Sequence, residues 1–130
     1  MPDRNAQSAE SGDHSLKLPN RAERLRIFIG EGDRHKGKPL YEAIVLKAKK
    51  QGLAGATVLR AIMGFGANSR VHTSRILRLS EDLSLIVEIV DRTERIEAFL
   101  PVLDDMMQEG LVTREPVEVI LYRHAACDLD

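Results

Sequence analysis

The stretch that decides the fold is Leu83-Ser84-Leu85-Ile86-Val87-Glu88-Ile89-Val90-Asp91-Arg92-Thr93-Glu94. Leu83, Leu85, Val87 and Ile89 share one face of a period-2 pattern, and Ser84, Ile86, Glu88 and Val90 share the other, which predicts a strand over 83–90. Asp91 followed three residues later by Glu94 resembles a capping box, and Ile96, Phe99, Leu100, Leu103, Met106 and Met107 then repeat at helical spacing as far as Gly110. Upstream, Leu25, Ile27 and Ile29 alternate with Arg26, Phe28 and Gly30, a second strand signature. A polar loop follows, and Leu40, Tyr41, Ile44, Val45 and Ala48 then mark a helix running to Gly52. Pro39 is expected in its first turn, and Lys47, Lys49 and Lys50 lie at the end the dipole favours for cations. Thr57–Phe65 reads as a further strand closed by Gly64 and Gly66, and Val117–Tyr122 as the last.

The order β-α-β-β-α-β predicts an α+β, ferredoxin-like fold in which two helices cover one face of a four-stranded antiparallel sheet. No element is left for the other face. That face nevertheless keeps Phe28, Ile86, Val90 and either Ile120 with Tyr122 or their neighbours in the last strand, so a partner is needed to cover it and a homo-oligomer is expected. Residues 1–23 hold few apolar side chains without period and are expected to form a disordered extension, 24–123 the domain and 124–130 a short tail.

Composition narrows the function. The chain has 130 residues and a net charge of -1, with 12 basic and 5 acidic side chains over 24–82 against 4 and 11 over 83–130. A basic half thus faces an acidic half, which excludes a uniformly basic nucleic-acid coat. No apolar run approaches the ~20 residues needed to span a bilayer, and a cytoplasmic location is expected. The single cysteine, Cys127, has no partner for a disulfide or a zinc-type pair. His14, His35, His72 and His124 lack metal-ligand spacing, and no nucleophile motif occurs, so neither a catalytic nor a metal site is expected and no cofactor is required.

Two clusters are candidates for binding, and a third has a plain structural reading. Gly32-Asp33-Arg34-His35-Lys36-Gly37-Lys38-Pro39 follows the phosphate-loop pattern G-x-x-x-x-G-K-[ST] except at its last position, where Pro39 offers neither hydroxyl nor amide. A looser reading keeps Arg34, His35, Lys36 and Lys38 as anion-attracting residues near a helix N-terminus, against a plain solvated turn. Gly64-Phe65-Gly66-Ala67-Asn68-Ser69-Arg70-Val71-His72-Thr73 combines two glycines that admit close backbone approach with donors on Ser69, Arg70 and His72, against a bulge or hairpin device. Glu109–Arg114 connects the second helix to the last strand, with Gly110 suited to a helix C-cap.

Taken together, Ile29-Gly30-Glu31 through Gly37-Lys38-Pro39-Leu40-Tyr41-Glu42, then Gly52-Leu53-Ala54-Gly55-Ala56-Thr57-Val58, Gly64-Phe65-Gly66, His72-Thr73 and Val90-Asp91 resemble the bacterial family called domain of unknown function 190, whose members resemble PII signalling proteins. The resemblance covers roughly residues 24–123. It implies a homotrimer with the sheets facing inward, and an adenine nucleotide as effector in clefts between subunits. By position it implies binding roles for Gly64 and Gly66 at the base of the regulatory loop, Gly110 in the shorter loop and Arg123 beyond the last strand, with the basic Gly32–Lys38 loop, a feature of this family rather than of PII proteins, in place of missing phosphate contacts. Glu31, Phe65 and the donors Ser69, Arg70 and His72 complete the expected binding set. A membrane transporter, ion channel or enzyme is the implied downstream partner. The chain departs from the family in having Ala61 where glycine is usual and Ser84 where proline is usual. Two alternatives share the strand order. One is an RNA-recognition module, suggested by Ile27-Phe28-Ile29-Gly30 but lacking aromatics in the 83–90 strand. The other is a metal-binding trimer of the CutA type.

Overall fold

A computed structural model describes residues 20–64 and 83–124. Its elements are β1 (Arg21–Gly30), β2 (Arg34–His35), β3 (Lys38–Pro39), α1 (Leu40–Lys50), β4 (Thr57–Arg60), β5 (Ser84–Asp91), α2 (Thr93–Met106) and β6 (Leu111–Glu118). The main sheet has the order β4-β5-β1-β6 with every neighbour antiparallel, and β2 pairs with β3 in a small hairpin. This is the ferredoxin-like arrangement that the element order predicts.

The core forms because two periodicities meet. Leu25, Ile27 and Ile29 on β1 and Leu85, Val87 and Ile89 on β5 point to one face at every second residue. Leu40, Ile44 and Ala48 on α1 and Ile96, Phe99, Leu103 and Met106 on α2 are buried against them at helical spacing. Phe99, Leu25, Ile27, Ile44 and Ile96 are fully enclosed. Fully burying each such side chain contributes about 1.5–3 kcal/mol, which makes this one-sided core the main source of stability.

The boundaries differ from expectation in four places. β1 starts at Arg21, ahead of the expected domain edge at 24, because Ala22 lies opposite Val117 and Glu23 opposite both Asp91 and Pro116. Strand character after Thr57 stops at Arg60 rather than continuing to Phe65. The last strand is Leu111–Glu118 rather than 117–122, and it begins directly after Gly110. Its sequence lacks apolar alternation because it is an edge strand exposed along most of its length, and an edge also accommodates Pro116, which has no amide to donate. Ile120, Leu121 and Tyr122 lie beyond it and are exposed. Finally, α2 ends at Met106, with Met107 as its C-cap, so Gly110 is not a cap residue.

Asp91 is not the helix cap that its spacing to Glu94 suggests. The N-cap of α2 is Arg92, without a side-chain capping bond. Asp91 is instead the last residue of β5, 1% exposed, and its carboxylate accepts hydrogen bonds from the Ala54 amide at 2.8 Å and the Arg92 amide at 2.7 Å. The chain reaches Ala54 through a Schellman turn. Gly52, at φ +80°, donates to the Lys49 carbonyl, and Leu53 donates to that of Ala48. Arg95 then closes the corner by donating to the Gly52 carbonyl at 2.6 Å. One buried carboxylate thus ties the exit of α1 to the entry of α2.

The register also fixes the open face of the sheet. Residues directly opposite each other share a face, so Leu59, Ile86, Phe28 and Leu111 form a continuous apolar row across β4, β5, β1 and β6. Phe28 and Ile86 are half-buried by their neighbours, whereas Leu59 and Leu111 are 43% and 56% exposed. Arg26 and Glu88 pair at 2.8 Å in the next row, and Arg24 pairs with Glu115 in the one beyond. On the helix side of β6, Arg114 donates to Glu97 at 2.8 Å and reaches Glu23 at 3.2 Å. The bond to Glu97 foremost holds its guanidinium pKa above the ordinary value.

Candidate ligand-binding site

The antiparallel register sends the connecting segments of interest to one end of the sheet. Gly30 lies opposite Ser84, Arg60 opposite Leu85, and Leu111 opposite Phe28. The 31–39 loop, both flanks of the 65–82 segment and the turn before β6 therefore emerge side by side. Phe65, Gly66, Ser69, Arg70 and His72 lie outside the described residues.

The 32–39 loop is not a phosphate loop. Lys36 and Gly37 have φ of 51° and 82° and occupy the tip of the β2–β3 hairpin, with His35 opposite Lys38. Two successive positive φ values are the signature of a two-residue hairpin turn. The first free amide of α1, that of Leu40, donates to the Asp33 carbonyl at 2.8 Å rather than facing outward. Pro39 is accordingly the extended N-cap residue, not a residue of the first helical turn. Asp33 further closes the loop by accepting from the Gly30 amide at 3.0 Å. Arg34, Lys36 and Lys38 remain exposed, Arg34 touching the Gly37 carbonyl at 3.3 Å, so they form a basic rim and not an enclosed cradle.

Glu31 is engaged twice. Its amide donates to the Leu83 carbonyl at 2.8 Å, and its Oε2 accepts from Arg60 at 2.6 Å. Its second oxygen, Oε1, is buried and has no hydrogen-bond partner among the described residues. Arg60, four residues before Gly64, belongs to no sequence motif. A pair separated by 29 positions leaves no local signal in a sequence.

Gly110 has a structural reason to be glycine. Its φ is +131°, and a Cβ there would lie 2.8 Å from the Phe28 carbonyl oxygen and 2.6 Å from the Met107 methyl. Gly64 is different, since a Cβ there would meet nothing within 4 Å. Arg123 is exposed and follows β6, whose last residue pairs with Arg21 at the opposite end of the sheet from Gly30. The register therefore gathers Glu31, Arg34, Lys36, Lys38, Gly64 and Gly110 at one end, and leaves Arg123 just past a strand that finishes at the other.

Between Asp33, Arg34, Leu40, Met106, Gln108 and Glu109 lies a cleft of about 90 Å³. Small-molecule sites usually enclose ~300 Å³ or more. This cleft is therefore too small to hold a nucleotide by itself. Among the described residues, no three His, Cys, Asp or Glu side chains form a group able to hold a metal ion, and no helix is long and apolar enough to cross a membrane.

The sequence profile of the DUF190 family, described as "Uncharacterized ACR", matches residues 22–119. The chain belongs to that family. Among its relatives, a UPF0166 protein of Aquifex aeolicus is 42% identical over 96 residues, 74% of this chain and 90% of that one. The UPF0166 protein MJ1524 of Methanocaldococcus jannaschii is 38% identical over 93 residues, covering 71% and 85%. Among solved structures, CPII of Thiomonas intermedia K12 bound to ADP and bicarbonate superposes with a TM-score of 0.51 at 18% identity, covering 80% of this chain and 92% of that one. A protein of Thermus thermophilus described as PII-like superposes with a TM-score of 0.53 at 16% identity, covering 77% and 90%. At such identities the likeness establishes a PII-like fold for this DUF190 chain.

Proposed function

We propose that this DUF190 protein is a non-enzymatic, PII-like regulator that binds a small anionic effector, an adenine nucleotide, in clefts between the subunits of a homotrimer. It acts in the cytoplasm and passes its state to a membrane transporter, ion channel or enzyme. The observation that carries this reading is the gathering of the basic 31–39 loop, the flanks of 65–82 and the turn at Gly110 at one sheet end, beside a cleft that is too small, among the described residues, to enclose a nucleotide. A second subunit would supply the missing wall, and the apolar row Leu59–Ile86–Phe28–Leu111 supplies a reason for one to be there. The solved relatives of the same fold include CPII bound to ADP and AMP. Arg123 is the basic residue that such a neighbour would bring toward the phosphates.

Isothermal titration with AMP, ADP, ATP and a cyclic nucleotide, alongside light scattering for mass, tests the reading. Binding of at least one nucleotide by a species three times the chain mass is expected. Failure of all four to bind removes the nucleotide part, and a monomer at working concentration removes the cleft. The RNA-binding alternative has no support on the open face of β5, where Ile86, Glu88 and Val90 provide no ring for base stacking.

A further inference from the structure

The Glu31–Arg60 pair sits where the proposed effector would arrive, and it is arranged as a place holder. Arg60 is the last residue of β4, at the flank of the 65–82 segment, with a side chain 60% exposed, whereas Glu31 is only 26% exposed. The Glu31 backbone is anchored, because its amide is bound to the Leu83 carbonyl, and the guanidinium is the more solvent-facing member of the pair. A guanidinium carries five N–H donors in a fork suited to phosphate oxygens, and one nitrogen, Nη2, is engaged by Glu31. Asp33, also near the β1 exit, accepts from the Gly30 amide. Arg34, Lys36 and Lys38 add exposed positive charge on the same end.

We propose that Arg60 is the principal anion-binding side chain of the effector site, held in place by Glu31 until a phosphate group takes it over. This inference deepens the functional reading above and rests on it. Two physical points favour exchange over a permanent pair. An ion pair whose cation is more than half exposed is weak, so a dianionic phosphate offering bidentate contact competes with a single carboxylate oxygen. The exchange also leaves Glu31 with a use, because its Oε1, buried and without a hydrogen-bond partner among the described residues, has acceptor capacity left for a hydroxyl or amino group of the same ligand once Arg60 moves away. A nucleotide offers both kinds of group, the phosphate for Arg60 and the donor for Glu31.

The test uses the full chain and two probes, pyrophosphate and ADP, titrated calorimetrically into wild type, Glu31→Gln, Arg60→Gln, Arg60→Lys and the Glu31→Gln/Arg60→Gln double variant. Circular dichroism checks that each is folded. Freeing Arg60 in Glu31→Gln should tighten pyrophosphate binding by up to about fivefold, the value of releasing one exposed pair. Arg60→Gln should weaken both probes by at least about tenfold, the double variant should match Arg60→Gln, and Arg60→Lys should recover part of the loss. If pyrophosphate binds through Arg60 and ADP does not, the nucleotide reading fails while Arg60 stands as an anion site. If ADP binds and Arg60→Gln stays within about twofold of wild type, the effector reading stands and this inference is overturned. Absence of pyrophosphate binding to Glu31→Gln, where Arg60 has no competitor, also overturns it.

Discussion

Replacing Gly110 by alanine separates a structural glycine from a ligand-contacting one. The backbone there has φ +131°, outside the left-handed region that Asn or Asp tolerate, and such a conformation costs an L-residue about 1–3 kcal/mol. The new Cβ would also lie 2.8 Å from the Phe28 carbonyl oxygen, which is fixed in the central strand, and 2.6 Å from the Met107 methyl, which can rotate away. The carbonyl contact decides the outcome, because relieving it requires β1 or the 107–110 turn to move. A total of about 3 kcal/mol follows from strain plus clash. For a domain of this size about 4–8 °C of melting temperature accompanies each kcal/mol, so Gly110→Ala should melt roughly 12–24 °C below wild type without any ligand. Thermal denaturation followed by circular dichroism at fixed protein concentration measures this. A melting point within about 3 °C of wild type together with weakened ADP binding would refute the steric argument and return Gly110 to a ligand-contacting role.

Two further outcomes follow from single contacts. Asp91→Ala leaves the amides of Ala54 and Arg92 without an acceptor inside the protein and should cost about 2–4 kcal/mol, while Asp91→Asn, which keeps one acceptor oxygen, should cost less; chemical denaturation of both gives the comparison. Ile86→Glu places a charge in the middle of the apolar row and should yield monomers by light scattering with the helix-side core intact, whereas an unchanged mass would show that this face is not the assembly surface.

β1 and β5 are legible in the sequence because they are central strands whose buried face repeats at every second residue, and both helices because Ile44 and Ala48, or Ile96, Phe99 and Leu103, recur on one stripe. β6 is not, because an exposed edge strand has no buried face to impose a period, and Thr113, Arg114, Glu115 and Pro116 hide it. Asp91 looks like a cap when only its neighbours are considered, since nothing in the sequence signals that Ala54 will fold back onto it. Lys36-Gly37 is masked by a competing motif, because the same glycine and lysine spacing serves a hairpin turn and a phosphate loop, and only backbone dihedrals tell them apart. At the candidate site, the basic residues of the 31–39 loop are visible as composition. Arg60 is not, because its meaning comes from a partner 29 residues away.

The charge division along the chain also acquires a different meaning. A basic half over 24–82 and an acidic half over 83–130 suggest that one subunit's positive surface meets its neighbour's negative one. On the open face, however, the two halves already meet within one chain, since Arg26 pairs with Glu88 and Arg24 with Glu115 across adjacent strands. Covering the row Leu59–Ile86–Phe28–Leu111 would then bring paired rather than single charges toward the interface, at a lower desolvation cost than isolated ions impose. Assembly through this face should therefore be driven by apolar burial and be insensitive to screening. Light scattering between about 50 mM and 1 M salt, where the screening length falls to about 3 Å, should give the same mass. Dissociation at high salt would show instead that ion pairs between subunits hold the assembly, and that the in-chain pairs exchange partners when it forms.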